Sequence, residues 1–530
     1  MSTPTPPPPP PSSPTTPIPP VSPEPEPRGA GSRTAVWQVA TAIALAVGLV
    51  LAGVTYLAMD QRVDDLRAER DAAREELAEA QEESESSELG GLEDLLGEGG
   101  LEGLLGGEGG GLEDLLGDLG GMGDLDPVLL ECLGSGGLGL GGGGDSIPDG
   151  DLETQVAAIQ QLVEEERGLP AGDEVDIEFV SLDEVQRRAV ELTQDELDPQ
   201  RAAVDSRLLA ALGAVEPGTD LVQAQLDALD AGVGGFYNPE TQQLVIGSEE
   251  MDGLGALVTA HELVHAQADA AMGLPDQEAI ALDSGSDAAY AALNAIEGDA
   301  SLYSQQFIGR HLPLDELLAL QEASGQTSAD LDALPHFVAR QLEFPYVEGM
   351  TFTCDVFLDG GWEAVDRTYT EVPTTTAQIL FPDRYHAEED AVDVRDPAGL
   401  DGWEVVRADT FGAADLLFLL EAPGDDENAA LSDPKDRVAA WAGGEVAVWG
   451  RGEDTALTLV LADRGEDGAT PLCDTVTEFY PAAFPDAEVS EDGGRTVFTG
   501  ADQSAVVACS GSEVALGIGP DPQTAAAAIG

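Results

Sequence analysis

Residues 254–273, LGALVTAHELVHAQADAAMG, set His261, Glu262 and His265 inside an otherwise apolar run of helical period. At 3.6 residues per turn, imidazoles four positions apart project from one face and can bind a single metal ion. That constrains the whole chain, because a catalytic zinc site needs a third ligand that another element must bring to the same point. Glu262 adjoins the first histidine. From there its carboxylate reaches a water on the fourth coordination position of Zn2+ and acts as general base in hydrolysis. The plainer alternative is a pair of core histidines satisfied by hydrogen bonds, with a glutamate beside them.

The extended H-E-x-x-H form with another histidine six residues on is absent, since position 271 is Ala. The next helical stretch, Asp287 to Phe307, carries an apolar stripe at Tyr290, Leu293, Ala300 and Phe307, and Glu297 falls on it. A carboxylate buried on such a stripe takes up a proton or finds a cation. Zinc held by the preceding helix supplies that cation, and the separation of thirty-two positions from His265 to Glu297 suffices for a loop and a returning antiparallel helix. Asp299 and His311 are secondary candidates. The alternative places Glu297 on a partly exposed face.

The order GGFYNPETQQLVI (234–246), HELVHAQAD (261–269) and IEGDAS (296–301) resembles the gluzincin-type neutral zinc metallopeptidases of bacterial envelopes, over about half of the chain. The resemblance extends through FPYVEGMTFTCDVFLDGGWEAVDRTY and PTTTAQILFPDRY, where Tyr346, Gly349, Gly361, Trp362, Asp366 and Pro382 read as packing residues. It implies a zincin-like fold with zinc on His261, His265 and Glu297, and Glu262 as base. The thermolysin-like aspartate four residues past the ligand glutamate is missing, because position 301 is Ser. Asp299 and Asp269 are the candidate substitutes behind the ligands. A donor for the tetrahedral oxyanion is also needed. Tyr303, His311, His336, Tyr346 and His386 are the candidates.

Net charge is −80 over 530 residues, with one lysine, Lys435. Such a chain repels nucleic acid and anionic lipid, so neither is expected as a partner. Residues 1–34 open with a Pro, Ser and Thr tract that cannot bury enough surface to fold. Residues 35–58, AVWQVATAIALAVGLVLAGVTYLA, are uncharged and long enough to cross a bilayer core of about 30 Å. They are expected to be a retained transmembrane helix. Arg28 and Arg33 precede this span and Arg62, Arg67, Arg70 and Arg74 follow it, a count that argues against a cytoplasmic N-terminus. A cysteine-bearing hydrolase behind an anchor fits export, however, and the expectation is a single-pass protein of the cell membrane with its catalytic domain extracytoplasmic. Residues 59–88 form a charged juxtamembrane helix with an interrupted coiled-coil seam. Residues 89–150, with LEDLLG at 92, LEGLLG at 101 and LEDLLG at 112, form a Gly/Leu/acidic linker.

The expected fold class is α+β: a mainly helical zincin-like domain at 151–408, with a β-hairpin around Pro239 before the zinc helix, and an α+β module at 409–530. One strand of the hairpin is expected to pair an extended peptide along its free edge. Cys473 and Cys509 are a candidate disulfide in an oxidising envelope, leaving Cys132 and Cys354 as a second pair. The sequence thus points to Zn2+-dependent hydrolysis of a peptide or protein substrate. A silent zincin-fold scaffold and a zinc amidase acting on wall peptides are the alternatives.

Overall fold

The structure is a computed structural model. It describes Val128, Cys132 and residues 147–530, except 149, 171–174, 197, 233, 240, 249, 314, 318, 321–332, 396–398 and 466–470. The expected tail (1–34), transmembrane span (35–58) and juxtamembrane helix (59–88) lie outside the described residues, as does most of the linker (89–150). Among the described residues no helix is long and apolar enough to cross a membrane.

The chain is α+β and mainly helical, with two sheets. Helix α1 (Leu152–Leu162) starts where Asp151 accepts a hydrogen bond from the Thr154 amide, satisfying one of the orphan donors of a helix start. It runs into a wider turn, Val163–Arg167, stopped by Gly168 in the left-handed region. Strand β1 (Asp176–Phe179) and helices α2 (Leu182–Glu196), α3 (Pro199–Leu212) and α4 (Leu221–Gly232) follow. The hairpin is present as β2 (Gly235–Asn238) and β3 (Gln243–Ile246), and β1 joins it, parallel to β3. The order β1-β3-β2 leaves β2 at an edge.

Next come α5 (Gly253–Met272), α6 (Gln277–Ser284), α7 (Ser286–His311) and α8 (His336–Gly360). Helices α7 and α8 pack tightly, and two sequence features explain how. Gly298 and Gly349 remove the side chains at the crossing, where a Cβ on Gly298 would lie 2.1 Å from the Gly349 oxygen. Pro345, inside α8, cannot donate to the Gln341 carbonyl one turn back. The Tyr290 hydroxyl of α7 donates to that orphaned oxygen instead, at 2.7 Å, so the break in α8 is stitched to α7.

The second sheet is seven-stranded and antiparallel, in the order β4-β5-β6-β10-β9-β8-β7. Its strands are β4 (Glu404–Thr410), β5 (Trp441–Arg451), β6 (Asp454–Asp463), β7 (Glu488–Asp492), β8 (Arg495–Thr499), β9 (Ser504–Ser510) and β10 (Glu513–Gly519). Its first strand therefore starts five residues before the expected boundary at 409. The sheet keeps a small core of its own, with Val460, Val506 and Ala515 against Ala525 and Ile529, and shares a larger one with the helices. Phe418, in the apolar helix Ala413–Glu421, meets Phe337 and Phe344 of α8 edge-on, each at 5.4 Å, and one apolar cluster runs from Val185 and Leu212 through Phe352 to Leu459 and Phe498. The disulfide Cys473–Cys509 staples the helix Leu472–Ala483 to β9, and Cys132–Cys354 fastens the end of the linker region to α8.

Candidate metal centre

Helix α5 is capped by Asp252, which accepts from the Gly255 amide at 2.8 Å. The turns beyond are Ala, Leu and Val, so α5 lies in the core, and it carries His261, Glu262 and His265 inward with it; all three are at most 3 % exposed. Helix α7 returns alongside and delivers Glu297, fully buried. His261 Nε2 and His265 Nε2 are 3.2 Å apart, and Glu297 Oε2 lies 3.3 Å from the first and 3.4 Å from the second. Zinc bonded to nitrogen and oxygen at about 2.0–2.2 Å with tetrahedral angles requires ligand atoms about 3.3–3.5 Å apart. The triangle fits that ion closely.

The charge states of His261 and Glu297 suit ligation as well, whereas His265 has to release a proton to bind a metal. Burial pushes His261 below the ordinary imidazole range, leaving a lone pair free. Burial opposes charge on Glu297, but the neighbouring His265 and His261 outweigh it and hold the carboxyl below its ordinary value. His265 is raised, because the Glu297 carboxylate outweighs its burial. Glu262 differs from the three. Burial pushes it up to about 8, opposed by His265 and by the approaching Tyr237 backbone amide, although neither of its oxygens makes a well-formed hydrogen bond with another described residue.

The two residues expected to stand behind the ligands do other work. Asp269 accepts from the Tyr237 hydroxyl at 2.9 Å, tying the hairpin to the end of α5. Asp299 accepts from Arg167 Nε and Nη2 at 2.7 and 2.8 Å and from the Tyr369 hydroxyl at 2.8 Å. Arg167 and Asp299 are both fully buried. Arg167 Nη1 also pairs with Asp366 at 2.8 Å, and its guanidinium lies over the Trp362 ring at 4.5 Å. Trp362, Asp366 and Tyr369 thus enclose one buried arginine, which accounts for the WEAVDRTY stretch.

Of the five oxyanion candidates, only Tyr346 stands at the centre. Its ring lies 6.5 Å from that of His261, its phenol interacts with the Glu297 carboxylate, and burial raises it well above the ordinary phenol range. Tyr303 packs on Phe307 and faces Glu166 and Arg310. His311, also a secondary ligand candidate, pairs with Glu166 at 3.0 Å. His336 bridges Glu421 and Glu427, and His386 contacts Asp355 at 2.7 Å. These four belong to ion pairs and packing away from the ligands.

Sequence reasoning missed Arg167, Tyr290, Tyr369 and Ser304. The Ser304 Oγ lies 3.4 Å from His261 Nδ1. Its signal was available, since it sits seven residues, close to two helical turns, after Glu297. Comparison with family models, with curated proteins and with solved structures found no match to this chain.

Proposed function

We propose that this chain is a zinc-dependent peptidase with a zincin-like centre at His261, Glu262, His265 and Glu297. The observation that carries the reading is the triangle of ligand atoms at 3.2–3.4 Å beside a buried Glu262. Two imidazoles and one carboxylate form a donor set that catalytic zinc sites use, with a position left open. Zinc held there supplies Lewis acidity to a carbonyl and makes water a better nucleophile near neutral pH. Glu262 accepts the proton of the attacking water and returns it to the leaving amine nitrogen. Its apolar surroundings raise its proton affinity, as both transfers near neutral pH require. Tyr346, whose phenol faces the Glu297 carboxylate, is the residue that would donate to a developing oxyanion.

The edge strand β2, whose Tyr237 backbone lies alongside Glu262, is where an extended peptide would pair once its edge is uncovered, since Gly235, Phe236 and Tyr237 are buried. The two disulfides support an oxidising, extracytoplasmic setting, and the apolar span 35–58 supports single-pass anchoring in the membrane. A second reading, a binding or scaffold protein with a structural metal, is favoured by the burial of all four groups. Glu262 speaks against it, because a structural site needs no base.

The test compares the detergent-solubilised full chain with Glu262→Gln, measuring bound zinc and cleavage of unfolded protein and of cell-wall peptides. One zinc per chain in both, with protein cleavage by the parent alone, is expected. Equal activity in the two eliminates the mechanism, absence of stoichiometric zinc eliminates the centre, zinc without cleavage supports the scaffold, and cleavage of wall peptides alone supports an amidase.

A further inference from the structure

The hydrogen bonding of Ser304 bears on the far nitrogen of His261, which the ligand triangle leaves untouched. A serine hydroxyl has one proton and two lone pairs. In α7 that proton is committed, because Ser304 Oγ donates to the Ala300 carbonyl one turn back at 2.7 Å. The same oxygen lies 3.4 Å from His261 Nδ1, with both side chains buried. Towards the imidazole, Ser304 then accepts, which favours the hydrogen on Nδ1 against the competing Glu297 carboxylate 3.3 Å from Nε2. The lone pair is then on Nε2, the atom that faces His265 Nε2 and Glu297 Oε2 at 3.2 and 3.3 Å.

We propose that Ser304 is the positioning residue that fixes the tautomer of His261, doing with a neutral hydroxyl what a carboxylate does behind many metal-bound histidines. The role is open to it because both nearby carboxylates are occupied, Asp299 by Arg167 and Tyr369 and Asp269 by Tyr237. A hydroxyl adds no charge behind the imidazole, so Glu297 alone supplies the negative charge of the ligand set. Helix α7 thereby delivers a ligand and the support of another ligand from one face, two turns apart. The metal arm of this inference rests on the zinc reading above; the tautomer arm does not.

The test uses the full chain with 15N-labelled histidine, freed of metal, at a pH above the ordinary imidazole range. Long-range proton–nitrogen correlations assign the protonated nitrogen of each of the five histidines. In the parent, His261 is expected to carry its proton on Nδ1. Ser304→Ala is expected to lose that preference and to bind zinc roughly 10–100-fold more weakly, with the unfolding temperature of the metal-free protein little changed. Ser304→Thr, which keeps a hydroxyl able to bond the same carbonyl, is expected to restore both. A parent His261 protonated on Nε2 overturns the proposal without any variant, and so does a Ser304→Ala protein with the parental tautomer and affinity. A parent that binds no zinc yet shows the Nδ1 proton, lost in Ser304→Ala, sinks the zinc reading and leaves the assignment of Ser304 standing.

Discussion

Gly298 of α7 and Gly349 of α8 meet backbone against backbone: a Cβ on the first would lie 2.1 Å from the Gly349 oxygen, and one on the second 2.3 Å from the Asn294 oxygen. Side chains do not tolerate such distances, so only glycine permits this crossing. Glu297 precedes Gly298, and Tyr346 lies one turn before Gly349, so the crossing sets how closely the phenol approaches the ligand. Gly298→Ala is expected to push the helices apart, costing roughly 1–3 kcal/mol or more in stability and weakening zinc binding along with it. Urea unfolding and a zinc titration check this, and a variant with the parental midpoint and affinity would contradict the crossing.

Arg167 makes a different kind of commitment, a fully buried cation held by Asp299, Asp366 and the Trp362 face. Removing one partner of a buried pair leaves the other charge uncompensated, which costs about 3–5 kcal/mol. Arg167→Met should therefore lower stability by that order. Adding Asp299→Asn should recover part of the loss, because Tyr369 then faces a neutral acceptor. If the two substitutions prove simply additive in unfolding measurements, the pair is not coupled as its distances indicate.

The clustering of His261, His265 and Glu297 was legible in the sequence because its signals are local: two histidines one turn apart, and a glutamate on an apolar stripe. The supporting residues were not, since what holds them is distant in the chain. Arg167 reads as the charged end of an amphipathic helix until its partner, 132 residues on, is known. Tyr290 reads as core, and its hydroxyl has meaning only beside the carbonyl that Pro345 leaves vacant. The hairpin was visible through its turn residues, whereas its parallel partner β1 depends on a long connection that periodicity does not encode. That β4 begins before 409 was not visible for a related reason, because it carries exposed Val405 and Val406 and lacks the apolar run that marks an inner strand.

Cys132–Cys354 encloses a sequence separation of 222 residues and Cys473–Cys509 one of 36. In the chain-entropy account the longer loop restricts the unfolded state more, by about 1.6 kcal/mol for this ratio of lengths. Replacing the first pair by serine should therefore lower stability by more than replacing the second. The first pair also packs against Leu302 and Met350, on the two helices that carry Glu297 and Tyr346. Zinc affinity is accordingly expected to fall with the first replacement and to hold with the second. Equal effects on unfolding and on zinc binding would sink both expectations.

At the junction between α7 and the large sheet, burial pushes Asp287 from an ordinary value of 3.8 up to about 7, although Thr376 donates to it through its amide and its hydroxyl. Asp409 of β4 and Asp415, itself pushed up to about 6 by burial, add negative charge nearby, and Arg407 is the cation facing Asp409 and Asp415. Because the folded value is the higher one, the folded protein holds a proton between pH 4 and 7 that the unfolded chain has already released. The stabilisation from Asp287 is thus complete below pH 3.8 and is lost as pH rises through about 7, by at most about 4 kcal/mol at roughly 1.4 kcal/mol per unit. Asp287→Asn removes the titration, so its stability should vary less with pH in that window and exceed the parent's above it. Urea unfolding at pH values below and above the window decides the matter, since parallel curves for parent and variant would mean that Asp287 is not the group that titrates.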